Sequence, residues 1–319
     1  MRLFDQAKYP LIRMRHRAYG FSAALILAGI GWMIFNIVSI GSWQEYGVDF
    51  TGGSLIQVRF QQTATAAQLR AALGGSQAPP ITRFGEENEF TIRAPLAGDD
   101  VETVRVGIQD QLQTAFGNDA FTILRTETVS PKVGEELERN ALLAILYSFV
   151  LTLIYIAFRF ELRFGLAAVI ATAHDILITL GFLAIFRVEI ALPTVAAILT
   201  IVGYSLNDTI VVFDRVRENL HAKGGRREDP KELINRSINE TLPRTVLTSG
   251  TTLAVLGALL VVGGAVIRDF TMVLILGVAV GTYSSIFVAS PALLEIQKRF
   301  GDGSANRERR KKRGAKATA

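Results

Sequence analysis

The sequence contains no cysteine. That single absence removes disulfides, thiolate metal sites and cysteine nucleophiles, so any part of the chain in an oxidising compartment must fold on its core alone. Other chemical signatures are missing too. There is no His-Glu-x-x-His metal pair, no Gly-x-Ser-x-Gly elbow, and no pair of aspartates on neighbouring apolar segments with a Gly-x-Gly-Asp context. No enzyme, metal or cofactor is expected. Nine prolines and 28 glycines exclude collagen-like and low-complexity classes over most of the 319 residues. Charge is the other scarcity, at 20% of residues, and it is unevenly spread.

What fills the gaps is apolar. Half of the residues are hydrophobic, and several stretches exceed the roughly 18 uncharged residues that mark a membrane-spanning helix. Six spans are predicted, at 18–40, 139–158, 165–186, 190–213, 245–267 and 272–294, giving a polytopic α-helical membrane protein. The first span is followed by no small-x-small cleavage site and is read as an uncleaved anchor rather than a signal peptide. Lys and Arg crowd the 1–17 segment, the 159–163 turn, the 214–244 loop and the 295–319 tail, whereas the opposite turns hold only Arg187 and Arg268. By the positive-inside rule both termini are cytoplasmic and the 41–138 block lies outside, in the periplasm. The excess of five positive charges thus reports topology, and no nucleic-acid partner is expected.

The 41–138 block is long enough for a small independent domain. Ser54–Phe60 reads as a strand, 65–73 as a helix, and Ile81–Phe84 with Glu89–Ala94 as a hairpin turned at 85–88. Asp99 or Asp100 caps a second helix with Val101, Val104, Ile108, Leu112 and Phe116 on one stripe, and Phe121–Val129 closes the set. The order βαββαβ predicts a ferredoxin-like α+β unit. On the cytoplasmic side, Asp229 and Pro230 start a helix whose Leu233, Ile234, Ile238 and Leu242 recur at helical spacing up to Pro243. This predicts an interfacial helix against the inner leaflet. The basic stretch Arg307–Lys316 is expected to be disordered and drawn to anionic lipid.

Polar residues inside spans are the functional candidates, because a charge at the centre of a helix in hydrocarbon costs about 2.5–3.5 kcal/mol or more. Span four carries Tyr204, Asn207 and Asp208, placed by their spacing on one face, and span three carries His174 beside Asp175. Asp208 lies five residues before Phe213, about 8 Å below the cytoplasmic end at 1.5 Å per residue. Arg244 enters span five from the same side, followed by Thr245, Thr248 and Ser249, and can reach Asp208. Two readings stand together: an ion pair that merely glues helices, or a carboxyl whose protonation breaks the pair and lets a helix shift. For His174 and Asp175, neighbours that point in different directions, a proton relay and a plain buried hydrogen bond are equally open. The run Gly47-Val48-Asp49-Phe50-Thr51-Gly52-Gly53 reads as a turn with unusual backbone angles. It lacks the Lys-Ser/Thr ending and following helix of a phosphate loop, which argues against nucleotide binding.

Those motifs carry a resemblance. The Gly47–Gly53 run, Val129-Ser130-Pro131-Lys132-Val133-Gly134, His174-Asp175, the stretch Gly203–Asn219 and Leu242-Pro243-Arg244-Thr245 resemble the SecF family of bacterial protein-export membrane proteins, over residues 10 to 300. The resemblance implies six helices that pair with SecD into a twelve-helix bundle of the resistance-nodulation-division type, associated with the SecYEG channel. It further implies use of the proton-motive force to assist late translocation of an unfolded passenger polypeptide, with Asp208 and Arg244 at the positions tied to proton conduction. Two other functions stay open: an assembly subunit whose polar spans only dock the partner, and an exporter of small amphiphiles, for which the external block is small.

Overall fold

The structure is a computed structural model that describes residues 8–75, 78–84, 88–94, 101–159, 161–222, 228–264 and 267–300. The turn expected at 85–87, the cap at Asp99 or Asp100 and the basic stretch Arg307–Lys316 lie outside the described residues.

Among the described residues, six helices are long and apolar enough to cross a membrane. They are α1 (Arg15–Ile40, entered through a 3-10 turn at Leu11–Met14), α5 (Pro131–Arg159), α6 (Leu162–Phe186), α7 (Leu192–His221), α8 (Pro230–Val262), and α9 (Arg268–Ser284), which runs through a π turn at Ser285–Ala289 into α10 (Ser290–Phe300). Helices α6, α7 and α9 form the interior of the bundle, while α1, α5 and α8 are largely exposed. The interior seam is lined by Ala167, Ala168, Ala171, Ile201, Val202, Val273 and Ala289, small and branched residues that let helices approach closely. At the crossing of α1 on α6 the two backbones meet directly. A Cβ on Gly29 would stand 2.7 Å from the Gly181 Cα, so only paired glycines admit this contact.

Between α1 and α5 the chain forms one helical turn, α2 (Val48–Thr51), and then a βαββαβ unit: β1 (Gly53–Phe60), α3 (Ala66–Ala72), β2 (Ile81–Arg83), β3 (Glu89–Ala94), α4 (Val101–Phe116) and β4 (Phe121–Val129). The sheet is antiparallel in the order β2-β3-β1-β4, the ferredoxin-like arrangement that the element order predicts. Register follows the buried face. Ile56 and Val58 of β1 stand opposite Ile92 and Phe90 of β3, and these side chains meet Leu69 of α3 and Leu112 of α4 in a closed core. Helix α3 starts at a capping box, where Thr65 Oγ1 accepts from the Gln68 N–H and Gln68 Oε1 accepts from the Thr65 N–H.

One sequence expectation is corrected. The 214–244 segment is not a loop carrying a separate interfacial helix. Helix α7 continues to His221, and α8 runs unbroken from Pro230 to Val262 with Pro243 inside it. The stripe Leu233, Ile234, Ile238 and Leu242 is buried in one cluster with Ile12, Phe213 and Val216. Amphipathic spacing alone cannot tell a lipid surface from a protein surface, and here protein covers it. Side-chain amides hold the N-terminal segment in place: Asn239 Oδ1 accepts from the Tyr9 N–H at 2.8 Å, and Asn235 and Asn239 both donate to the Tyr9 carbonyl. The Gly47–Gly53 run, in turn, carries the unusual angles expected of it, next to one helical turn at Val48–Thr51. Its unusual angles are confined to Gly52 (φ 71) and Gly53 (φ 130), and a Cβ at Gly52 would meet the Pro131 backbone at the start of α5.

Candidate proton site within the helical bundle

Two polar clusters occupy the interior seam. The first is built on Asp175, which is 1% exposed. Its Oδ1 lies 2.8 Å from His174 Nδ1, and its Oδ2 accepts from Ser284 Oγ at 2.7 Å and from Ser205 Oγ. His174 Nε2 lies 2.9 Å from Ser22 Oγ, which is 3.2 Å from the Tyr283 hydroxyl, and that hydroxyl donates to the Ala18 carbonyl at 2.9 Å. One hydrogen-bonded chain therefore ties α1, α6, α7 and α9 together. The hydrogens can be counted. Tyr283 spends its only hydrogen on Ala18, so Ser22 must donate to Tyr283, and His174 Nε2 must donate to Ser22. All the contacts are made at once only when the Asp175–His174 pair holds one proton beyond aspartate and neutral imidazole.

The two neighbours reach different helices, Asp175 to Ser205 of α7 and His174 to Ser22 of α1, and they also meet each other. His174 Nδ1 is near enough to its own backbone to meet the carboxylate of the next residue, and burial leaves both groups that partner.

The second cluster surrounds Asp208, which is 3% exposed. Thirteen residues separate it from His221, the end of α7, about 20 Å along the helix. The helix runs eight residues beyond Phe213, where the predicted span ends. Ser249 of α8 donates to Asp208 Oδ2 at 3.4 Å, accepts from the Tyr204 hydroxyl at 3.4 Å, and lies 2.6 Å from Thr282 Oγ1 of α9.

The structure brings Tyr204 and Asp208 together through Ser249, but it does not bring Asn207 or Arg244 to them. Asn207 is exposed, since as the residue next to Asp208 it stands about 100° away around α7. Arg244 is also exposed, on the outer side of α8, and forms no ion pair with Asp208, although it is near enough to act on that carboxylate at longer range. The arginine stands five residues, about 1.4 turns, before Ser249, so α8 turns it to another face. Sequence reasoning missed Ser22, Thr282, Tyr283 and Ser284 as site residues. The run Thr282-Tyr283-Ser284-Ser285, the polar interruption of the last span, was the signal that could have found three of them.

Comparison with known proteins bears on this geometry. The family model described as protein export membrane protein SecD/SecF, C-terminal, matches residues 108–299, and the SecD/SecF GG motif matches residues 45–64. The chain belongs to the SecF family. A SecF protein translocase subunit of Gemmatimonas aurantiaca is 46% identical over 308 residues, covering 94% of this chain and 90% of the relative. The SecF of Escherichia coli O157:H7 is 38% identical over 291 residues, covering 90% of this chain and 88% of the relative. Among solved structures, the crystal structure of SecDF, a translocon-associated membrane protein from Thermus thermophilus, superposes with a TM-score of 0.80 at 39% identity. The match takes in 94% of this chain and 40% of that longer one. The SecD/SecF GG motif is thus the segment 45–64 that carries α2 and β1, and the C-terminal family region holds both aspartates and all their partners except those on α1.

Proposed function

We propose that this chain is the SecF half of a SecD–SecF complex that uses the proton-motive force to assist late translocation of an unfolded passenger through the SecYEG channel. Both termini are then cytoplasmic and the βαββαβ domain periplasmic, in keeping with the Lys and Arg count at the span ends. The observation that carries this reading is Asp208, a carboxylate 3% exposed inside a bundle of spanning helices and held by one long hydrogen bond.

The switch follows from hydrogen-bond arithmetic. While Asp208 is ionised it only accepts, so Ser249 gives it its single hydrogen and accepts from Tyr204 and Thr282. Once Asp208 takes up a proton it becomes a donor. Ser249 then accepts from it and turns its own hydrogen to Thr282, whose hydroxyl donates to the Val278 carbonyl at 2.7 Å. Protonation thereby reverses the polarity of the contact joining α7, α8 and α9. One charge crossing 100 mV is worth about 2.3 kcal/mol, enough to bias such a two-state contact. Arg244 assists from a distance, and the Asp175–His174 pair holds a second proton that ties α1 to the moving helices.

The test is proton-gradient-dependent export in vesicles carrying the complex with Asp208→Asn: export should lose its dependence on the gradient. A second reading has its own support. Gly203 and Asn207 on α7 and Arg244, Thr248 and Thr251 on α8 are all exposed, which suits a flank that SecD covers. If docking is their whole role, Arg244→Met and Asp208→Asn should lower recovery of the complex and leave the gradient dependence of the recovered fraction unchanged.

A further inference from the structure

The switch above gives the Gly47–Gly53 motif no task, and its contacts supply one. The motif lies along the turn between α6 and α7. The Ile190 N–H donates to the Glu45 carbonyl at 2.8 Å and the Gly47 N–H donates to the Ile190 carbonyl at 2.9 Å, an isolated parallel bridge between Tyr46 and Ile190. Two residues further on, the Leu192 N–H donates to Asp49 Oδ2 at 2.9 Å. Leu192 is the first residue of α7, and the residue before it, Ala191, has no side chain able to cap the helix. Asp49 therefore does from a separate segment what a capping Ser or Asp does locally. It satisfies a first-turn N–H and sets negative charge at the positive end of the helix dipole.

Charge pairs flank that cap. Glu189 pairs with Arg93 of β3, and Arg187 pairs with Glu45. The Arg93 side chain is 22% exposed, and this partial burial holds its guanidinium below its ordinary pKa against the opposing pull of Glu45 and Asp269. Gly47 makes room for this: a Cβ there would stand 2.7 Å from Glu189 Oε1. A backbone bridge, a helix cap and two ion pairs thus converge on residues 187–192. A hinge would place few contacts at such a turn; this one is fastened at every second residue.

We propose that Asp49 and Glu189 are positioning residues that clamp the outer end of α7 to the base of the sheet domain, so that the domain and the helix bearing Asp208 move as one body. Asp208 lies 16 residues beyond Leu192, about 24 Å along a continuous helix. The proposal rests on the proton-linked reading only for what moves α7.

The test uses the full chain assembled with its SecD partner in vesicles carrying the translocon. Tyr46→Cys with Ile190→Cys places the chain's two cysteines on bridged strands about 4.8 Å apart, within disulfide reach. Expected is gradient-dependent export within twofold between the oxidised and reduced forms, since the seam never opens. A tenfold or greater loss on oxidation, reversed by reductant, would mean that the seam opens in the cycle and would overturn the proposal. In parallel, Asp49→Ala should lower export at least fivefold at unchanged complex recovery. Asp49→Asn, which keeps a side-chain oxygen for Leu192, should stay within twofold of wild type; an Asp49→Ala variant that exports at the wild-type rate also overturns it. Asp208→Asn run alongside separates the two ideas. Wild-type gradient dependence in that variant sinks the proton-linked reading, while the cysteine pair still decides whether the seam is rigid.

Discussion

The Ser249 hydroxyl stands 3.4 Å from Asp208 Oδ2 and 2.6 Å from Thr282 Oγ1, so a single hydrogen on α8 is shared between α7 and α9. Which way it points depends on whether Asp208 is a pure acceptor or a donor, and in the proposed cycle that dependence links a local proton to helix packing. In hydrocarbon there is no water to absorb the mismatch, which gives the choice its leverage.

Ser249→Ala should remove the shared hydrogen with little change in volume. Gradient-dependent export by the complex is expected to fall, while Ser249→Thr, which keeps the hydroxyl, should retain most of it. Equal export by Ser249→Ala and wild type in the same vesicles would show that the contact is not used.

The crossing of α1 on α6 leads to a stability experiment. Gly29→Ala drives a methyl to within 2.7 Å of the Gly181 backbone, an overpacking expected to cost about 1–3 kcal/mol. Gly31→Ala meets nothing within 4 Å and gains helix propensity, so it should be neutral or slightly stabilising. Thermal denaturation of the purified detergent-solubilised chain reads both, and the order of the two midpoints is the check.

Asp175→Ala leaves the hydrogens of His174, Ser205 and Ser284 without their acceptor in a dry interior. Each stranded group costs about 1–3 kcal/mol, so this variant should be the least stable of the polar-cluster substitutions. Ser22→Ala removes one outer link and should cost less. The same melting experiment ranks them, and a ranking with Ser22→Ala below Asp175→Ala would contradict the network.

How far the sequence carried these conclusions depended on the signal each residue left. The sheet domain was legible because strand alternation, the helical stretch 65–73 and the stripe from Val104 to Phe116 all agree with one topology. Asp208 and Asp175 were legible because charge within an apolar run is conspicuous. Their partners were not. Ser22, Ser249 and Ser284 are ordinary residues for a membrane helix, and only the packing shows which of them meets a carboxylate. Arg244 misled because its charge and spacing fit an ion pair, while the rotation of α8 that turns it outward is set by contacts the spacing does not encode. The apolar stripe after Asp229 likewise fitted both a lipid surface and the protein surface that Ile12 and Phe213 provide.

The most direct measurement is gradient-dependent export of an unfolded passenger by vesicles carrying the full complex, comparing wild type with Asp208→Asn at matched complex levels. Wild type should accelerate when the proton gradient is imposed and Asp208→Asn should not, since its amide neither takes up nor releases a proton in response to the gradient. An Asp208→Asn complex that still responds to the gradient as wild type does would contradict a proton-bearing role for this carboxylate.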